Sequence, residues 1–153
     1  MVRNNDNDSA IIKAKNLSKS YDGKNRVIED VSFEVTKGET FVVIGPSGVW
    51  KTTLLRLIDL LDYPTSGKLF FEGLDTTSLN DEDRLSFRRK IGMVVQSNVL
   101  FDTTVYSNVS YGLRIRGIPK EQEKKKVSKA LRTVGLDGFQ QRYANTISGG
   151  EAQ

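Results

Sequence analysis

The stretch Gly45-Pro46-Ser47-Gly48-Val49-Trp50-Lys51-Thr52-Thr53 constrains this chain more than any other. Before it runs Thr40-Phe41-Val42-Val43-Ile44, apolar and rich in β-branched residues, which predicts a buried strand. After it, Leu54, Leu55, Leu57, Ile58 and Leu61 recur at helical spacing, so a helix is expected from about Lys51. A strand, a Gly-rich turn and Lys-Thr opening a helix form the setting of a phosphate-binding loop. Backbone N–H groups of such a loop converge on phosphate oxygens. The helix N-terminus adds partial positive charge and the lysine a full one. Thr52 is placed to offer its hydroxyl to a nucleotide-bound Mg2+. One position departs from G-x-x-x-x-G-K-[ST]: residue 50 is Trp where glycine is expected. An aromatic forced to positive φ there would cost about 1–3 kcal/mol. Taken alone, the stretch suits either a phosphate loop or a ligand-free Gly-rich turn between strand and helix.

At 153 residues, the chain has the length of one domain. With 37% hydrophobic and 27% charged residues, it reads as a soluble globular chain and not a disordered one. No apolar run approaches the ~20 residues of a membrane span, and no signal peptide is visible. Work at a membrane would therefore go through a partner, from the aqueous side. Cysteine and histidine are both absent, which excludes thiol nucleophiles, disulfides, histidine bases and Cys/His metal sites within these residues. Net charge is +4, with much of the basic excess between Arg114 and Arg132. Such a stripe fits a solvated helix face or an anionic partner. No nucleic-acid fold motif accompanies it, and no nucleic acid is expected as a partner.

Residues 1–9 read as a polar, disordered tail. A first strand is expected over Ala10–Tyr21, a turn at Asp22-Gly23-Lys24-Asn25, and a half-buried strand over Val27–Val35, where Val31, Phe33 and Val35 alternate with polar residues. Lys37-Gly38-Glu39 makes a turn. Tyr63-Pro64-Thr65-Ser66-Gly67 breaks the P-loop helix from a short strand at Lys68–Glu72. Asn80 suits the N-cap of a helix reaching about Arg89. Ile91–Val95 predicts a second buried core strand, ending at Gln96. Thr103 or Thr104 caps a helix with Val105, Val109 and Leu113 on one face. Pro119 opens another, with Val127, Ala130, Leu131 and Val134 as its apolar stripe and Gly135 as its end. The expected organisation is a β layer plus P-loop core over 10–96 and a helical subdomain over 97–153.

Three features now stand in order: the loop, the strand-ending Gln96, and Ile147-Ser148-Gly149-Gly150-Glu151-Ala152-Gln153. Together they resemble the nucleotide-binding domain of an ABC transporter over nearly the whole chain. Ile147–Glu151 is similar to the family signature Leu-Ser-Gly-Gly-Gln, and Pro64–Gly67 and Arg89–Gln96 also look like family segments. The resemblance implies an α/β P-loop NTPase (RecA-like) core with an N-terminal antiparallel β layer and a helical subdomain. It implies ATP and Mg2+ as ligands, bound through Gly45, Pro46, Ser47, Gly48, Lys51, Thr52 and Thr53. Within that set Lys51 would contact the β- and γ-phosphates and Thr52 the metal. Tyr21 would stack on adenine, although from the residues alone it could equally be a strand-end tyrosine. Gln96 would touch Mg2+ and the attacking water, where the bare sequence also allows a structural amide. Ser148, Gly149 and Gly150 would bind the γ-phosphate held by a second, facing ATP-binding subunit, against a plain Ser-Gly-Gly loop. A transmembrane permease subunit is the other implied partner, with the chain on the cytoplasmic face of the membrane. Residues 98–117 are similar to ATPase subunits of oxyanion importers, the tungstate/molybdate and phosphate kind, and polar amino-acid importers look similar in several segments.

In the family, the Walker B aspartate, the catalytic glutamate and the switch histidine lie further along than Gln153. The chain as given is therefore expected to be truncated before Walker B and not to hydrolyse ATP at a useful rate. It is also expected to be poorly soluble alone, because the Thr40–Ile44 strand would have unpaired edges. Three residues after Gly150 are too few for an unsupported helix. The alternative reading is a non-catalytic nucleotide-binding or interaction remnant of such a subunit, which Trp50 favours.

Overall fold

The computed structural model describes residues 10–46, 50–96 and 99–153. It falls into two units, Met1–Met93 and Val94–Gln153.

The first unit is built on a four-stranded antiparallel sheet of order β2-β1-β3-β4, with β1 Ala10–Ser20, β2 Arg26–Thr36, β3 Ser66–Phe71 and β4 Leu74–Asp75. The hairpin forms because Asp22 closes its own turn: one carboxylate oxygen accepts from the N–H of Lys24 at 2.8 Å and of Asn25 at 2.7 Å. Along β2, Val31, Phe33 and Val35 are half-buried and Ser32 and Glu34 exposed, the period of a strand with one covered face. The β1–β2 register slips between Ala14 and Leu17. There Asn16 and Asp30 both take φ of 50° and are joined by a 2.6 Å side-chain hydrogen bond. Gly67 crosses this bulge with φ of 84°, and a Cβ on it would overlap the Asn16 carbonyl, so only glycine fits.

Helix α1, Lys51–Ile58, contributes Leu54 and Leu57, and the turn after it Leu60, to one buried cluster with Ala14, Leu17, Ile28 and Leu69 of the sheet. The expected fifth residue of its apolar face was Leu61. Instead Leu60 turns into the left-handed region at φ 54° and the Leu61 N–H bonds back to the Arg56 carbonyl at 2.9 Å. This closing turn buries Leu60 and leaves Leu61 and Leu55 exposed. Helix α2, Asp81–Arg88, is capped by Asn80, whose side chain accepts from the Asp83 N–H. Its Arg84 is buried without cost in unmade bonds, donating to the carbonyls of Leu60 and Asp62 and lying 3.7 Å over the Tyr63 ring.

Two expected strands are absent. Thr40–Ile44 forms no ladder, with Val42 68% and Ile44 83% exposed, and neither does Ile91–Val95, with Val94 74% exposed. A core strand needs hydrogen-bonded neighbours and covered faces. Among the described residues neither stretch pairs with a strand of the sheet. No described helix is long and apolar enough to cross a membrane.

The second unit holds α3 Val105–Arg114, α4 Lys120–Thr133 and α5 Gly149–Ala152, with a 3-10 turn at Ala144–Thr146. Thr104 caps α3 by accepting from the Ser107 N–H. Val105, Val127 and Leu131 form the core, flanked by Tyr106, Leu113, Leu136, Phe139 and Ile147. The buried face of α4 is Glu123-Val127-Leu131 at four-residue spacing; Ala130 and Val134, expected in the stripe, are exposed. Glu123 can be buried because its carboxylate accepts from the Tyr106 hydroxyl at 2.8 Å. The turn after α4 is closed at Gly135, with the Leu136 N–H on the Leu131 carbonyl at 2.8 Å.

Candidate functional site

The loop candidates lie in the first unit. Gly45 and Pro46 precede Trp50 and α1, while Ser47 and Gly48 fall outside the described residues. Trp50 sits at φ −114° and ψ −25°, in the right-handed region. The strain expected from an aromatic at positive φ is therefore not present. Its indole lies against Gly45, where a Cβ would stand 2.7 Å from indole Cζ2, and packs onto the core beneath α1. A side chain at 45 would therefore require the indole at 50 to shift.

Lys51 is the first residue of α1. Its ammonium donates to the carbonyls of Gly45 at 2.8 Å and Pro46 at 2.6 Å, drawing the start of the loop onto the helix. An ammonium has three donors, so this arrangement can hold the loop and still meet an anion. Among the described residues, Trp50 makes no side-chain cap bond and the first turn of α1 carries no acid, so neither offsets the partial positive charge of that helix end. Thr52 is exposed in that turn, whereas Thr53 is buried and already partnered. A cation, a helix N-terminus and a hydroxyl fit a phosphate group. For Mg2+ the same residues supply one oxygen, Thr52, and the described residues contain no group of three or more acidic or metal-binding side chains. They fit a metal that arrives on nucleotide phosphates, not one held by the protein alone.

Tyr21 follows the last residue of β1 and is 60% exposed, its hydroxyl donating to Asp62 at 2.9 Å. Gln96 is exposed and belongs to the second unit, as do Ser148, Gly149 and Gly150. Ser148 caps α5: its hydroxyl accepts from the Glu151 N–H, and the Glu151 carboxylate accepts from the Ser148 N–H at 2.7 Å. This reciprocal box explains how a turn of helix forms where too few residues seemed to remain. These bonds, the one from the Ser148 N–H foremost, hold the Glu151 carboxyl below its ordinary value. A Cβ at Gly149 or Gly150 would meet nothing within 4 Å. Two features escaped the sequence reading. The Ser-x-x-Glu spacing at 148–151 was visible; the Tyr21–Asp62 bond, between distant positions, was not.

The family model for ABC transporters matches residues 28–153. A methionine import ATP-binding protein of Carboxydothermus hydrogenoformans is 43% identical over 146 residues, covering 94% of this chain and 43% of that protein. An Fe(3+) ions import ATP-binding protein of Vibrio cholerae is 42% identical over 140 residues, covering 91% of this chain and 38% of that protein. Among solved structures, a dimeric ATP-binding cassette in a post-hydrolysis state, bound to ADP and Pi, superposes with a TM-score of 0.82 at 31% identity, over 92% of this chain and 65% of that one. The chain thus spans less than half the length of the curated relatives it matches.

Proposed function

Because the chain belongs to the ABC transporter family, we propose that it is part of the ATP-binding subunit of a solute importer, with residues 45–53 as its phosphate site. The observation that carries this reading is the Lys51 ammonium, bridging the Gly45 and Pro46 carbonyls at the N-terminus of α1. In this reading Lys51 turns its remaining donor to the β- and γ-phosphates, the α1 dipole adds to the attraction, and Thr52 meets the Mg2+ that the nucleotide carries. Tyr21 stacks on the adenine, and Gln96 faces the metal and the attacking water.

Ser148, Gly149 and Gly150 of one subunit face the γ-phosphate held by a second copy, and the open space at both glycines supports that approach. The stretch that includes Phe101 and Tyr111, whose rings lie 4.8 Å apart and are both exposed, serves as the contact to a transmembrane permease on the cytoplasmic side. The solute is set by those partners. Methionine and Fe(3+) importers match this chain almost equally well, so identity here does not sort solutes. The stretch 98–117 is the feature that favours an oxyanion such as tungstate or molybdate.

A second reading, a nucleotide-binding or interaction module without catalysis, is favoured by the Trp50 indole against Gly45. Calorimetric titration with Mg·ATP tests both. Replacing Lys51 by Ala is expected to weaken binding by about 10- to 100-fold, the worth of a charge-assisted bond. Unchanged binding would sink the phosphate-site reading. A large gain in affinity on Trp50→Gly would favour the second reading for the natural chain.

A further inference from the structure

We infer that Lys19 and Asp62 are positioning residues for Tyr21, holding its ring as a ready-made platform on which a purine base stacks. This rests on the ATP-binding reading and adds to it the residues that set base affinity.

The backbone around Tyr21 is pinned first. The Ser18 carbonyl accepts from the Thr65 N–H at 2.8 Å, and the Ser20 N–H donates to the Thr65 hydroxyl at 2.9 Å. The side chain is pinned next. One oxygen of Asp62 accepts from Lys19 Nζ at 2.7 Å and from the Tyr63 N–H at 2.8 Å; the other accepts from the Tyr21 hydroxyl at 2.9 Å. Lys19 also donates to the Tyr63 carbonyl at 2.8 Å, and its ammonium lies 4.7 Å from the Tyr21 ring centroid. The ring is therefore held at its hydroxyl and backed by a cation on one face, while the residue stays 60% exposed.

This ion pair differs from others in the unit. The Lys19 and Asp62 side chains are 11% and 16% exposed, whereas Arg26 and Glu29 are 56% and 68% exposed, and Lys90 and Glu72 are 54% and 55%. Burial alone would push the Asp62 carboxyl up, yet the bonds from Lys19, Tyr21 and Tyr63 hold it below its ordinary value. A charge pair kept out of water and aimed at an exposed ring fits a positioning role. A tyrosine that only ended a strand would need no such tether. Fixing the ring before binding removes the ordering cost that a free aromatic side chain meets when a base stacks on it.

The test is calorimetric titration of the chain and its variants with Mg·ATP and, separately, with inorganic tripolyphosphate. Tyr21→Phe keeps the ring and the Lys19–Asp62 pair but removes the tether. Asp62→Ala removes the pair. Each is expected to weaken ATP binding by about three- to tenfold and to leave tripolyphosphate binding unchanged. Parent-like ATP affinity in Tyr21→Phe overturns the inference. So does an equal loss of both ligands, which marks a merely structural bond. Tyr21→Ala separates the inference from the reading beneath it: if that variant binds ATP like the parent, Tyr21 has no role in base binding at all. If the parent takes neither ligand, the phosphate-site reading fails and the inference with it.

Discussion

The β1–β2 hairpin and the stretch Thr40–Ile44 have similar side chains and opposite outcomes. In the hairpin, the ladder runs from Ala10 opposite Thr36 to Ser20 opposite Arg26. In the stretch, Phe41 still stacks on Phe33 with ring centroids 5.2 Å apart and Val43 still touches the core, yet the backbone pairs with no strand. Apolar β-branched composition makes a segment able to be a strand. A partner edge within reach decides whether it is one. The hairpin finds that edge across a few turn residues, and the stretch finds none among the described residues.

This contrast can be broken in several ways. The largest effect is expected at Gly67, where alanine meets both the Asn16 carbonyl and a φ of 84°. Gly67→Ala should cost about 3 kcal/mol or more in urea unfolding followed by circular dichroism, whereas Gly92→Ala, with nothing within 4 Å, should stay within about 0.5 kcal/mol. Leu57→Ala, at 1% exposure, should cost about 2–5 kcal/mol, against about 0.5 kcal/mol or less for Ile44→Ala at 83%. Equal losses at 57 and 44 would mean that the stretch is packed after all. Asn80→Ala, which deletes the α2 cap, should cost about 1 kcal/mol by the same measurement.

The smallest effect is in pH. Hydrogen bonds from Lys68 and Thr77 lower the Asp75 carboxyl from 3.8 to about 2. Because the folded value lies below the unfolded one, the stabilisation is complete above pH 3.8 and fades as pH falls toward 2. Asp75→Asn should flatten that part of the acid-unfolding curve slightly, since the Lys68 side chain is 61% exposed and the pair well screened. An unchanged curve would show that the β3–β4 corner is not held by this charge.

What could be read from the residues was local. The Asp22 turn, the Asn80 and Thr104 caps and the Gly135 stop each act within a few positions, and each formed as expected. The β1–β3 pairing links Ile12 to Phe71 and has no local signal. The left-handed turn at Leu60 likewise depends on how α1 closes over the sheet, so Leu60 and not the helically spaced Leu61 joins the core. At the site, Lys51 and Thr52 were legible because a motif names them. The backbone of Trp50 was not, because its indole found room over Gly45 that only the folded loop provides.

The central place of β1 sets an order of assembly. During synthesis β1 and β2 can zip as soon as residue 36 emerges, but the other edge of β1 stays open until β3 is made. Residues 37–65, which carry the phosphate loop and α1, are then closed into a loop whose ends are clipped to the two edges of β1, Thr36 opposite Ala10 and Ser66 opposite Ser18. A lesion that delays β3 would leave that edge of β1 unpaired and open to other strands.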